Sequence, residues 1–287
     1  MPRSQTAGIA LAIAAGIAFS LTAIFAKFAL GDGGEPLGIL AVRFSAATLL
    51  LLIIAALFAK RWPAPRIGLT MIAVGAVGQT GMALCFFNAL SHASAGLVGL
   101  LLYLHPALIA VGELALGWER PRPVKWLALG AATIGCALTA GGGEGSAQGV
   151  LWALGAALCL TGYLLAAKRV AGHADATAAT ALYLSGATVV LVTLALFTGP
   201  SLPQTSVGWS AIVGLVLVST VIGSLCLFAA LPRLPASDVG TLMTIEPVLT
   251  IVWGVIFLAE QPSAVQLIGA SLIVASVVLL ARSVRQR

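Results

Sequence analysis

His105-Pro106 and Glu246-Pro247 each set an ionisable side chain directly before a proline in the middle of a long apolar run. A charge at lipid depth costs roughly 2.5–3.5 kcal/mol on an insertion scale, so each needs a partner or a cavity. The proline removes a helical hydrogen bond and kinks the helix, which frees carbonyls that something must satisfy. A histidine and a glutamate facing a common midplane cavity have the chemistry to bind the two ends of a zwitterion, or to carry a proton. The same two residues have the chemistry of a buried hydrogen-bonded tie between helices.

Other polar residues are few enough to be taken singly. Arg43 lies one or two turns inside the second apolar run. Its guanidinium suits bidentate capture of a carboxylate, or snorkelling back to Asp32 or Glu35 as a structural ion pair. Gln79 sits in GAVGQTG, where small neighbours permit close helix approach or leave room for a ligand. Tyr103 precedes His105 by two residues, Asn88 lies near a helix end where water reaches it, and Glu113 is expected to meet a loop base such as Lys125 or Lys168. Tyr163, Tyr183 and Trp253 are deep aromatics, whereas Trp62, Trp118, Trp126 and Trp209 fall at helix ends as interfacial anchors. Cys85, Cys136, Cys159 and Cys226 sit in apolar runs without metal-ligand spacing and read as reduced packing residues; no metal or cofactor is expected. Three scattered histidines (His92, His105, His173) form no catalytic cluster, which argues against a membrane-embedded enzyme.

The elements that must carry these residues follow from composition. Of 287 residues 60% are hydrophobic and 8% charged, with a mean hydropathy of +1.08. A soluble domain carries about 25% charge, so the chain is an all-α integral membrane protein. The net charge of +6 does not indicate nucleic-acid binding, because its location explains it better. A membrane helix needs roughly 20 apolar residues, and punctuation by Gly, Pro and charge gives ten runs. They span 6–29, 36–58, 68–91, 93–117, 125–140, 148–169, 177–197, 208–230, 236–258 and 264–281. With both termini cytoplasmic, thirteen of the fifteen basic residues fall in inner loops. Asp32, Glu35, Glu144 and Glu260 then fall outside, with Lys27 near them.

The runs repeat. Pro106 answers to Pro247, and 247 − 106 = 141; the same offset sets Gly8 on Gly149, Lys27 on Lys168, Cys85 on Cys226, Phe87 on Phe228, Glu119 on Glu260 and Pro121 on Pro262. The N-terminal run therefore reads as a retained helix and not a cleaved signal. Residues 6–140 and 147–282 form two five-helix repeats. Five is odd, so the second repeat enters the membrane inverted, an arrangement found in many secondary transporters with a midplane site between the halves. Ten helices can enclose such a site within one chain, so a monomer is expected. Glu119 and Glu260 are read as caps at a helix start.

The segments HPALIAVGELALGWERPRPVKWLALGAATIGCAL and EPVLTIVWGVIFLAEQPSAVQLIGASLIVASVVLL resemble the repeated domain of the drug/metabolite transporter superfamily, in its ten-helix branch of EamA-type exporters. The spacing of Pro36 and Arg43 is similar as well, and the likeness extends over about residues 6–282. Within that branch the chain resembles bacterial exporters of amino acids, the aromatic amino acid exporter group among them. The resemblance implies a multi-pass protein of the bacterial inner membrane that exports small metabolites by alternating access, neutral and aromatic amino acids foremost. Multidrug, nucleoside or other metabolite efflux is the alternative. It also implies a central cavity outside which the fifth and tenth helices lie; depth and symmetry then make Gln79, Tyr103, His105, Tyr163 and Glu246 its expected lining. His105 and Glu246 are the candidates for proton coupling, and Pro106 and Pro247 the helix kinks.

Overall fold

Apolar runs of this length in lipid must satisfy their backbone internally, and helices do so. The structure, a computed structural model, describes residues 3–92, 98, 101–102, 104–118, 123–140, 146–170, 172–258 and 264–285. The elements of the first half are α1 (Arg3–Ser20), α2 (Thr22–Gly31), α3 (Pro36–Phe58), α4 (Pro65–Val74), a π-helical turn (Gly75–Gln79), α5 (Thr80–His92), α6 (His105–Ala115) and α7 (Pro123–Ala140). The second half follows with α8 (Ala147–Val170), α9 (Ala176–Thr198), α10 (Ser206–Gly214), a π-helical segment (Leu215–Ile222), α11 (Gly223–Ala230), α12 (Ala236–Met243), α13 (Ile245–Leu258) and α14 (Ala264–Arg285).

Seven stretches are long and apolar enough to cross a membrane by length and composition: Gln5–Gly31, Pro36–Phe58, Pro65–Ala89, Ala147–Val170, Ala176–Thr198, Ser206–Ala230 and Ala236–Phe257. Shorter apolar helices lie at Trp126–Gly135 and Leu267–Ser276, inside the fifth and tenth expected runs. Residues 93–97, 99–100 and 103 of the fourth run, Tyr103 included, and both Glu119 and Glu260 lie outside the described residues.

The duplication read from sequence has a structural counterpart in the helix irregularities. Shifting Gly75–Gln79 by 141 residues gives 216–220, which lies inside the second π segment. A π turn inserts one residue and widens the coil, and such bulges concentrate at functional sites. Thr220 donates its hydroxyl to the Leu215 carbonyl at 2.7 Å, five residues back, and so occupies an acceptor within the widened turn.

Helices α3 and α9 cross against each other where Thr48 and Thr188 share a hydrogen bond of 2.8 Å. The two threonines lie within one residue of repeat equivalence (48 + 141 = 189), so the pseudo-two-fold axis passes close to this contact. Small residues make the approach possible: Ala47, Ala55, Ala181 and Ala187 are fully buried along it.

Two clasps join the halves at opposite ends of α3, whose 23 residues span roughly 33 Å at 1.5 Å per residue. At one end Glu35 donates its backbone N–H to Ser201 O (2.9 Å) and Thr205 donates to the Asp32 carboxylate (2.7 Å). At the other end Asp175 donates to Arg61 O (3.0 Å), while its carboxylate accepts from the backbone of Lys60 (2.6 Å) and Arg61 (2.9 Å). The Arg61 guanidinium also donates to Gly172 O. Lys60, Arg61, Lys168, Arg169 and Arg233 gather at the Asp175 end; Asp32 and Glu35 mark the other.

The backbone N–H of Thr205 is the leading cause that holds the Asp32 carboxyl below its usual 3.8. A depressed carboxyl pKa stabilises the folded clasp above the ordinary value, and that contribution is lost as pH falls through the depressed one. Proteolysis of the 199–205 loop is therefore expected to rise in acid, below about pH 3.8. Asp32→Asn is expected to flatten this acid dependence, and an unchanged profile in the variant would remove Asp32 as its origin.

Candidate functional site

Both proline positions interrupt their helices. Before Pro106, Leu104 turns with its N–H on Leu101 O (3.3 Å), and α6 restarts at His105. Before Pro247, Thr244 donates both its N–H (3.2 Å) and its hydroxyl (2.6 Å) to Thr241 O, and α13 restarts at Ile245. The joints fall one residue apart in repeat register. Interrupted helices at matching places in two halves are where transporter sites are built, because the broken coil exposes polar backbone inside protein and not to lipid.

His105 is buried, 5% exposed, and its ring Nδ1 lies 3.0 Å from Leu102 O, the carbonyl that Pro106 cannot serve. A carbonyl only accepts, so Nδ1 carries the proton. A Cβ built on Gly240 would lie 3.6 Å from His105 Nε2, from Pro106 and from Ile109, so α12 of the second half packs directly on this histidine. Glu246 stands in the first turn of α13 and is half-buried. Its carboxylate lies within electrostatic reach of Arg43.

Arg43 departs from the snorkelling alternative. Its Nε donates to Thr220 Oγ1 at 2.7 Å, across to the π segment of the second half, and its guanidinium lies 5.5 Å from the Phe44 ring centre. The Asp32 carboxylate that a snorkelling side chain would seek accepts instead from Thr205. Near the related place on the other side of the axis, Tyr183 of α9 donates its hydroxyl to Gln79 Oε1 at 3.2 Å, in the first π turn. Gln79 is thus an interhelical acceptor. Tyr163, 5% exposed, stacks on Tyr183 with ring centres 4.5 Å apart and planes at 18°, and Tyr183 in turn meets Phe228 at 5.2 Å.

Glu113 caps a helix start of the other repeat, a contact that the expected pairing with a loop base did not include. At 2% exposure it accepts from the backbone of Ala236 (2.7 Å) and Ser237 (3.3 Å) and from the Ser237 hydroxyl, which caps the start of α12 in the other repeat. Lys168 holds the preceding turn by donating to Leu231 O and Leu234 O, each at 2.5 Å. Asn88 is exposed, as its place near a helix end suggested, and bonds back to Leu84 O.

Ser20 and Asp238 are among the buried polar residues that the sequence reading missed. Ser20 is fully buried at the α1–α2 joint, where its hydroxyl donates to Ile17 O (2.6 Å) and accepts from Trp253 Nε1 (2.8 Å). The signal was present, since its repeat counterpart is Thr161, also a hydroxyl. Asp238, also fully buried, sits in the first turn of α12. Its position three residues after Pro235 at a helix start was the cue.

Comparison with known proteins accords with this architecture. A solved crystal structure superposes with a TM-score of 0.84 over 98% of this chain and 99% of the other, at 21% identity, which shows a shared fold. The threonine/homoserine exporter RhtA of Escherichia coli (strain K12) is 29% identical over 252 residues, spanning 85% of this chain and 80% of that one. RhtA of Salmonella typhimurium (strain LT2) is 28% identical over 255 residues with the same coverage. The model of the EamA-like transporter family matches twice, over residues 6–141 and 147–282. With paired interrupted helices, a polar seam between halves and nearly its whole length matched, the chain belongs to the EamA-like transporter family and is a multi-pass inner-membrane protein.

Proposed function

We propose that this protein exports small neutral amino acids across the inner membrane by alternating access. In this reading ten transmembrane helices form two inverted five-helix repeats with cytoplasmic termini, and the protein works as a monomer. The observation that carries the reading is the pair of matching helix interruptions before Pro106 and Pro247, beside the seam where Arg43, Thr220, Gln79 and Tyr183 join the halves. Two like halves in opposite orientations can exchange conformations and so open one site to either side in turn. The clustering of described basic residues at the Asp175 end supports a cytoplasmic assignment for that end.

Amino acids are favoured as substrates because the similar RhtA proteins are threonine/homoserine exporters. His105, Glu246, Gln79, Tyr163 and Tyr103 are the proposed lining, and Tyr163 and Tyr183 supply the aromatic wall that a ring-bearing substrate would need to part. His105 and Glu246 remain the candidate proton carriers.

Counterflow in proteoliposomes tests this. Labelled threonine, homoserine, phenylalanine and tryptophan are offered with and without a pH gradient. Saturable exchange of threonine without a gradient is expected for an amino acid facilitator. Exchange that appears only with the gradient assigns proton coupling, and His105→Gln or Glu246→Gln should then abolish the gradient dependence. Failure of every amino acid in both conditions, with nucleosides or cationic drugs moving instead, would sink the reading.

A further inference from the structure

The scaffold is two-fold, but the polar residues at its seam are not. Across the repeat the shared positions are the same residue: Pro106 and Pro247, Lys27 and Lys168, Phe87 and Phe228. The polar positions at the seam differ: Arg43 stands where the other half has Leu184, Glu246 where it has His105, and Thr220 where it has Gln79. A ligand with two chemically different ends has no two-fold symmetry. A site that reads such a ligand near a pseudo-two-fold axis must depart from symmetry where it touches the ligand.

We propose that Arg43 and Glu246 are the two heads of a clamp for a free α-amino acid, Arg43 receiving the carboxylate and Glu246 the ammonium. This rests on the amino acid export reading above. Thr220 is the positioning residue. It fixes the Arg43 Nε at 2.7 Å, and its own proton is committed to Leu215 O, so its oxygen faces the guanidinium as an acceptor. The Phe44 ring at 5.5 Å borders the same guanidinium. Tethered through Nε, the guanidinium keeps its two terminal nitrogens for the planar fork that a carboxylate fits. Both heads are half-buried within membrane-spanning stretches, and the Glu246 carboxylate lies within electrostatic reach of the Arg43 guanidinium.

Electroneutrality decides the ligand class. Arg43 and Glu246 together sum to zero, and a zwitterion keeps that sum while giving each head an opposite charge. A cationic amine leaves Arg43 without a compensating carboxylate, and an anionic acid leaves Glu246 without a compensating cation. An unmatched charge in a low-dielectric site is costly. The clamp therefore selects for amino acids with both α-groups unblocked over amines, esters and N-acyl acids of the same side chain.

The test is competition against labelled threonine in counterflow with the full chain in liposomes. Threonine methyl ester supplies the cation and N-acetylthreonine the anion. Wild type is expected to bind both blocked forms more weakly than threonine by on the order of 10-fold to 100-fold, as loss of a charged hydrogen-bond partner implies. Arg43→Leu copies the residue that the fold already accepts at 184 and should lose the discrimination against the ester. Glu246→Gln should lose the discrimination against N-acetylthreonine. Thr220→Val should raise KM with kcat little changed. Blocked forms that compete as well as threonine in wild type would overturn the clamp and leave amino acid export standing, as would variants that weaken all three compounds equally. If threonine and every other amino acid fail to exchange in wild type, the export reading falls and the clamp falls with it.

Discussion

Gly75→Leu is expected to abolish recovery of folded protein from the membrane. A side chain at Gly75 would run into the backbone carbonyl of Tyr183 in α9, and one at Gly186 into the carbonyl of Ile72 in α4. The contact is reciprocal: each helix presents a glycine to the other's backbone. Neither obstacle is the flexible end of a side chain, so relief requires moving whole helices. Overpacking a core typically costs about 1–3 kcal/mol where side chains can adjust, and here they cannot. The contact also seats the first π turn and the Gln79–Tyr183 bond, so the site would be lost with the packing. Gly162→Ala is the control, because a Cβ there meets nothing within 4 Å in the middle of α8. It should be neutral, or stabilising by up to about 1 kcal/mol through helix propensity. Detergent-solubilised yield and unfolding temperature, read by size-exclusion profile, compare the two. A Gly75→Leu protein as monodisperse and as stable as wild type would show that α4 and α9 do not pack as described.

Glu113→Ala is expected to give the next largest loss. Its carboxylate accepts from two amides at the start of α12 and from the Ser237 hydroxyl, and all of these groups are buried. Hydrogen bonds to a charged group contribute about 1.5–3 kcal/mol each, and leaving their donors buried and unmet costs on the same scale. Alanine removes every acceptor, whereas Glu113→Gln keeps one oxygen and should fall between alanine and wild type. The effect should extend beyond stability, because Glu113 belongs to the first repeat and α12 to the second. With Lys168 holding Leu231 O and Leu234 O, it fastens the turn at the basic end of the molecule. The repeat counterpart of Glu113 is Gly254, so this cap is not duplicated at the related position. A cysteine placed at Leu234 should become more reactive to aqueous thiol reagents in Glu113→Ala than in wild type. Unaltered melting temperature and labelling in both variants would show that the cap does not secure that end.

Sequence by itself determined the membrane class, the duplication and the loci of interest. These follow from signals that need no contacts: apolar length, the density of charge, and a constant offset of 141 residues. It placed His105, Pro106, Glu246 and Pro247 at equivalent positions, and both helices break there because proline forbids one backbone bond wherever it sits. The π segments were not legible, since nothing in GAVGQ or LVLVSTVI distinguishes a π turn from an α turn without the bonds themselves. Nor could sequence choose partners. Arg43 had nearby acids in Asp32 and Glu35, yet those lie at the clasp, and the guanidinium reaches a threonine 177 residues away. Glu113 likewise met a helix start of the other repeat, a partner that charge alone does not reveal. Local spacing fixes depth along a helix, whereas the partner across an interface depends on how two helices rotate and cross. Only tertiary packing decides that.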